Sequence, residues 1–129
     1  MTIELPWPPS LNNIYANSKS GGRFPVKRAR VYREEVILAV RQLDGPRKVG
    51  GRLRVRIAAF PPNDHRKHDL DNIIKPILDG LKKAEVFEDD SMVDDLHVMR
   101  GEAVDDGAVH VTVATILDAA LTGATQDQS

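Results

Sequence analysis

Apolar residues recur along this chain at two spacings, every second residue in some stretches and every third or fourth in others. The two periods predict different elements. Residues 1–5 alternate weakly and predict a short strand, which Pro6-Trp7-Pro8-Pro9-Ser10 ends because proline cannot donate to a sheet ladder. Leu11 to Arg23 reads as loop, with Asn12, Asn13, Asn17, Gly21 and Gly22 supplying turn chemistry. From Lys27 to Leu43 the positions Val36, Val40 and Leu43 follow helical spacing, and Gly45-Pro46 stops that helix. Arg52 to Phe60 alternates again, arginines 52, 54 and 56 against Leu53, Val55 and Ile57, as a half-buried strand does. Leu70, Ile73, Ile74, Ile77, Leu78 and Leu81 then form an apolar stripe that predicts a second helix to about Ala84. Asp69 stands where it can cap this helix, and Pro76 either kinks it or marks a regular start later than Asp69. Val93 to Arg100 and Val109 to Ile116 complete the strands, close enough in sequence for a hairpin.

The resulting order, β-α-β-α-β-β, predicts an α+β fold: a two-layer domain with two helices on one face of a small mixed sheet of about four strands. It covers residues 1–118. Residues 119–129 have little to bury and read as a flexible tail.

Composition narrows the setting. A chain of 129 residues suits one domain with a core of its own. It has no cysteine, which excludes disulfides and thiolate zinc sites and fits a reducing cytoplasm. The amino terminus lacks the basic start and apolar run of a signal peptide, and no stretch approaches the roughly 20 apolar residues that span a bilayer. The expectation is an intracellular, cytoplasmic protein. A formal net charge of −1 argues against a nucleic-acid partner only until its distribution is seen. Residues 1–57 hold 12 Lys and Arg against 4 Asp and Glu; residues 58–129 hold 6 against 15. A chain so divided can offer a basic surface to phosphates beside an acidic pocket for metal, although charges also simply decorate solvated faces.

The candidate chemistry lies in His68-Asp69-Leu70-Asp71-Asn72-Ile73-Ile74-Lys75 and in Glu88-Asp89-Asp90. Carboxylates hold hard cations through oxygen. Such cations polarise a phosphodiester and generate hydroxide, and a nearby lysine stabilises the charge of the transition state. At a helix start, Asp69 and Asp71 can turn towards one point; Asp71, Lys75 and Asp79 share a helix face; and the loop bearing Asp89 and Asp90 could fold back to that start. The plainer account is a capped helix with an ordinary Asp71–Lys75 surface pair. With few histidines and no cysteine, Mg²⁺ or Mn²⁺ suits these donors better than zinc. His65 and His68 offer at most a partial transition-metal site, and His97 and His110 read as structural residues of their strands.

Two blocks give the chain a family likeness. Leu5-Pro6-Trp7-Pro8-Pro9-Ser10-Leu11-Asn12-Asn13-Ile14-Tyr15 resembles the Pro-Pro-Ser-x-Asn-x-x-Tyr signature of the RusA-type Holliday junction resolvases. Asp69-Leu70-Asp71-Asn72-Ile73-Ile74-Lys75, followed by Asp79-Gly80-Leu81 and Val86-Phe87-Glu88-Asp89-Asp90, resembles their Asp-Leu-Asp-Asn-x-x-Lys motif and distal Asp-Asp. The resemblance implies a Mg²⁺-dependent homodimeric endonuclease that binds four-way DNA junctions and nicks two strands symmetrically, in recombination and repair. It implies Asp69, Asp71 and Asp90 as the metal-holding carboxylates and Lys75 as the essential lysine, with Asn72 ordering the site. Lys19, Arg23, Lys27, Arg28, Arg30, Arg66 and Lys67 would bind DNA, joined by Arg52, Arg54 and Arg56 if their sheet face is open. Asn12, Asn13 and Tyr15 would shape a loop near the DNA or serve only structure. His68 departs from the pattern, standing where many members have arginine. The rival expectations are a junction-binding module without catalysis and a metal nuclease of flap or duplex DNA.

Overall fold

Alternation decides the sheet. The computed structural model describes residues 1–9, 15–17, 23–25, 27–45 and 47–117, with the backbone alone at 15–17 and 23–25. In it the strand Leu53–Phe60 (β4) buries Leu53, Val55, Ile57 and Ala59 and turns Arg54 and Arg56 outward. The strands before it are Thr2–Pro6 (β1), Tyr15–Asn17 (β2) and Arg23–Pro25 (β3), and those after it are Val93–Arg100 (β5) and Ala108–Thr115 (β6). The helices are Lys27–Arg41 (α1) and Asp71–Lys83 (α2). The expected two-layer α+β arrangement is present, with a four-stranded mixed sheet in the order β1-β6-β4-β5. β6 runs antiparallel to both its neighbours, and β4 and β5 are parallel.

Two expectations about the strands are corrected. β5 and β6 form no hairpin, because β4 lies between them. The parallel β4–β5 pair needs a crossover, which α2 supplies. The chain after β5 then wraps the end of β4: the Gly101 amide donates to the Ala59 carbonyl at 2.7 Å and the Val104 amide to the Pro61 carbonyl at 2.9 Å. β6, with Val109, Val111 and Val113 all buried, gains most from a central place. β5, carrying Asp94, Asp95, His97 and Arg100, takes the edge, where charge discourages further strand addition. The segment read as loop between Leu11 and Arg23 contains β2, which pairs antiparallel with β3 in a ribbon. Asn12, Asn13, Lys19 and the tail 119–129 lie outside the described residues.

The helices cover one face of the sheet. Tyr32, Val36 and Val40 of α1 and Ile73, Ile77 and Leu81 of α2 meet the buried valines in one core, which Val86 and Phe87 extend. The helices cross closely at Gly80, where a Cβ would come within 2.8 Å of Val36 Cγ2. Asp69 does not cap α2. Leu70 holds the cap position in helical geometry, and tight turns satisfy the first amides: Asn72 donates to the Asp69 carbonyl at 3.1 Å and Ile73 to the Leu70 carbonyl at 3.2 Å. Pro76 lies inside the helix, and its missing N–H leaves the Asn72 carbonyl without its usual donor. At the far end, the Val86 amide donates to the Leu81 carbonyl at 3.0 Å and the Glu85 amide to the Lys82 carbonyl at 2.9 Å, with Glu85 in left-handed geometry. This closes the helix in a Schellman turn and sends the chain onward beneath the core.

Candidate active site and nucleic-acid interface

The two sequence blocks meet at the amino-terminal end of α2. A cavity of about 290 Å³ is lined by Trp7, Pro8 and Pro9 and by Asp64, His68, Asp69 and Asn72, with Arg28, Arg66 and Lys67 also in its wall. A second cavity of about 400 Å³ lies against Asn63, His65, Arg66, Lys67, His68, Asp69 and Arg100. The end of β1 is fixed from below by the Tyr32 hydroxyl, which donates to the Pro6 carbonyl at 3.0 Å. Burial, with Glu35 as a lesser cause, pushes the Tyr32 pKa far upward, so that donor stays protonated. Gly107 has φ 73°, and a Cβ there would crowd Pro62 and Trp7 at 2.8 and 2.9 Å. Trp7 meets the His68 ring edge to face, 5.5 Å between centroids and 74° between planes. His68 Nε2 lies 2.9 and 3.2 Å from the two Asp64 carboxylate oxygens. That hydrogen bond first, and the Arg66 amide at 3.0 Å second, hold the Asp64 carboxyl below the usual range. One ring nitrogen of His68 is thus engaged by Asp64. Trp7 and Asp64 were not singled out from sequence; the four-residue spacing of Asp64 and His68 was the available signal.

The structure brings some of the candidate acids together and separates others. Asp69 and Asp71 are exposed where α2 begins. Lys75, one turn on, donates to Asp79 at 3.4 Å rather than to Asp71. Asp90 opens a 3₁₀ turn, Asp90–Met92, beyond the other end of α2. Arg52 anchors that turn at the start of β4 by donating to the Ser91 carbonyl at 2.7 Å, and Lys82 reaches Asp89 at 3.2 Å. The loop therefore does not fold back. Thirteen residues at about 1.5 Å each put roughly 20 Å of helix between Asp71 and Asp90. Among the described residues no three His, Asp or Glu side chains lie close enough to hold a metal ion. Asp89 is engaged by the Ser91 hydroxyl and then Lys82, which lower its carboxyl to about 2. Asp69, Asp71 and Asp90 enter no ion pair among the described residues.

The basic candidates divide likewise. Lys27, Arg28 and Arg30 are exposed in the first turn of α1, which carries no acid. They reinforce the positive end of the helix dipole, an arrangement that costs stability unless an anion sits there. Arg66 and Lys67 are exposed beside Asp69. Lys19 lies outside the described residues, as does the side chain of Arg23. The outer sheet face carries Arg54 and Arg56, but Arg54 is held by Asp95 at 2.8 Å, and Arg52 by Asp94 and Ser91. Arg56 enters no ion pair among the described residues, its charge being a minor cause of the lowered Asp95 carboxyl. His97 pairs with Asp95 at 3.0 Å and His110 with Glu4 at 3.4 Å. No described helix is long and apolar enough to cross a membrane.

The family model described as endodeoxyribonuclease RusA matches residues 6–114. The chain is 36% identical over 113 residues to the crossover junction endodeoxyribonuclease of Enterobacteria phage HK97, covering 87% of this chain and 92% of that protein. It is 32% identical over 113 residues to the enzyme of the same name from Escherichia coli strain K12, with the same coverage. The homologue from Shigella sonnei is 31% identical over 112 residues.

Proposed function

The chain belongs to the RusA family of endodeoxyribonucleases, and on that premise we propose that it is a crossover junction endodeoxyribonuclease that resolves four-way DNA junctions by paired symmetric nicks. The observation that supports this most is the shared cavity. Trp7, Pro8 and Pro9 of the first block and Asp69 and Asn72 of the second, about sixty residues apart in sequence, line one cleft together with Arg28, Arg66 and Lys67. Relatives occur in a phage and in bacteria, so the reading puts the chain beside DNA in a bacterial cytoplasm.

An endodeoxyribonuclease of this family implies a divalent metal, which we take to be Mg²⁺, with Mn²⁺ as substitute. The donors fit in kind: Asp69, Asp71 and Asp90 are exposed carboxylates outside every ion pair among the described residues, and oxygen suits a hard cation. Their placement does not fit within one chain, because α2 stands between Asp90 and the other two. A homodimer answers both needs. Two copies about a two-fold axis would match the two symmetric cuts, and one copy's Asp90 would serve the other's Asp69 and Asp71. When bound, the cation supplies polarisation of the phosphodiester and an acidified water. The chain's own residues do the rest. Lys75, one turn along the helix from Asp71, would stabilise charge on the scissile phosphate. Its exposed pair with Asp79 is worth only tenths of a kcal/mol, so the ammonium is free to turn to the phosphate. Lys27, Arg28, Arg30, Arg66 and Lys67 would track the backbone, and Lys19 and Arg23, which precede α1 in sequence, would join them.

The test is cleavage of a synthetic four-way junction with Mg²⁺, beside flap and linear duplex. Asp71→Asn and Asp90→Asn are expected to lose at least 100-fold in rate while junction affinity changes less than threefold, since each removes an anionic ligand and no phosphate contact. Lys75→Ala should also lose cutting. Equal rates on all three substrates, or substantial cutting by both aspartate variants, overturns the assignment.

A further inference from the structure

His65, Arg66, Lys67 and His68 stand in one run between β4 and α2. The chain is fixed on both sides of that run. The Asn63 amide donates to the Val104 carbonyl at 3.1 Å, and the Asn72 amide donates to the Asp69 carbonyl. Between these anchors, residues 64–68 make no backbone–backbone hydrogen bond among the described residues. His65 has φ 62°, a left-handed conformation that few residues other than glycine adopt. Arg66, Lys67 and Arg100 share the wall of one cavity, so like charges push the loop open unless an anion lies among them.

One carboxylate answers all of this. Asp64 accepts from the Arg66 amide at 3.0 Å, spanning the left-handed His65, and lies 2.9 Å from His68 Nε2. His68 in turn packs edge to face on Trp7. The loop so tied sets Arg66 and Lys67 in the walls of both cavities, beside Asp69.

We propose that Asp64 is a positioning residue for DNA, an acid that raises junction affinity because it folds the loop presenting Arg66 and Lys67 to the phosphates. The inference rests on the resolvase reading given above. The sign of the effect sets it apart from a bystander charge. The Asp64 side chain is 40% exposed and lines the same cavity as Arg28, so as a bare charge it repels phosphate, and its removal should tighten binding. As the loop's template, its removal lets the cations spread, and binding weakens. Two substitutions separate charge from geometry. Asparagine keeps an oxygen for the Arg66 amide and loses the charge, whereas glutamate keeps the charge and displaces it by a methylene.

The experiment titrates a fluorescently labelled synthetic four-way junction without metal at several salt concentrations. Single-turnover cutting with Mg²⁺ at saturating protein is measured beside it. Asp64→Ala is expected to bind about tenfold more weakly and with a shallower salt dependence, because fewer counterions are released. Its loss should fall on affinity, the saturated cutting rate changing less than about threefold. Asp64→Asn should stay within about threefold of wild-type affinity, and Asp64→Glu should fall below it. In an Arg66→Ala/Lys67→Ala background, Asp64→Ala should no longer weaken binding. Unchanged or tighter binding by Asp64→Ala, an equal loss in the doubly substituted background, or cutting abolished at saturation overturns the proposal. So does Asp64→Glu binding as well as wild type, or Asp64→Asn binding as weakly as Asp64→Ala. The asparagine and glutamate variants decide it even if Asp64→Ala fails to fold, which circular dichroism would reveal. A wild type that binds no junction defeats the resolvase reading, and this inference with it.

Discussion

Asp89 and Asp90 are neighbours with opposite circumstances. Asp89 accepts from the Ser91 hydroxyl and the Lys82 ammonium, and its carboxyl falls from 3.8 to about 2. A folded-state value below the unfolded one stabilises the fold above pH 3.8, and the contribution fades as pH drops towards 2. Asp89→Asn is therefore expected to melt below wild type at pH 7 and together with it near pH 2, as calorimetry at the two pH values would show. A gap of equal size at both would refute the role given to these bonds. Asp90 has no such engagement among the described residues and keeps its carboxylate for other use. The motif made the acids legible in the sequence, and the family pattern singled out Asp90. Their partners were not legible. Lys82 reaches Asp89 only because α2 ends where the acidic turn passes, and Lys75 turns to Asp79 although Asp71 is equally near in sequence.

Periodicity located the long elements. Both helices and the strands around them lie within about two residues of the bounds that spacing predicts, because burial on one face is what stabilises them. The order of strands was not legible, since pairing depends on which edges stay open once α2 has carried the chain from β4 to β5. β2 and β3, three residues each, are too short for any period to register. Where α1 and α2 cross, packing sets the residue. Gly80→Ala places a methyl 2.8 Å from Val36 Cγ2, both positions being buried. Overpacking costs about 1–3 kcal/mol, and the better helix propensity of alanine returns up to about 1 kcal/mol. A net loss of roughly 1–2 kcal/mol is expected in urea unfolding. In a Val36→Ala background the 2.8 Å contact is removed and the Cβ of residue 36 at 3.1 Å remains, so the same change should cost less than in wild type.

Across the whole molecule, the opposite charges of the two halves are partly spent on each other. Arg52 and Arg54 meet Asp94 and Asp95 across the β4–β5 edge. Lys27, Arg28, Arg30, Arg66 and Lys67, outside every ion pair among the described residues, lie towards the end where α2 begins, while Asp90 stands at the other. If one copy completes another's site, Asp71→Asn and Asp90→Asn proteins, each inert, should regain single-strand nicking when mixed. Their heterodimer holds one intact set of acids, and gel analysis of nicked junctions would reveal it. Sites complete within one chain would leave every mixed dimer broken, and the mixture as dead as its parts. The span of α2 has a kinetic consequence too. If the acids of one site are divided between two copies, as proposed, no site works until the copies meet, and in dilute solution specific activity should rise in proportion to protein concentration. A lone molecule newly made in the cell would be harmless to the chromosome around it.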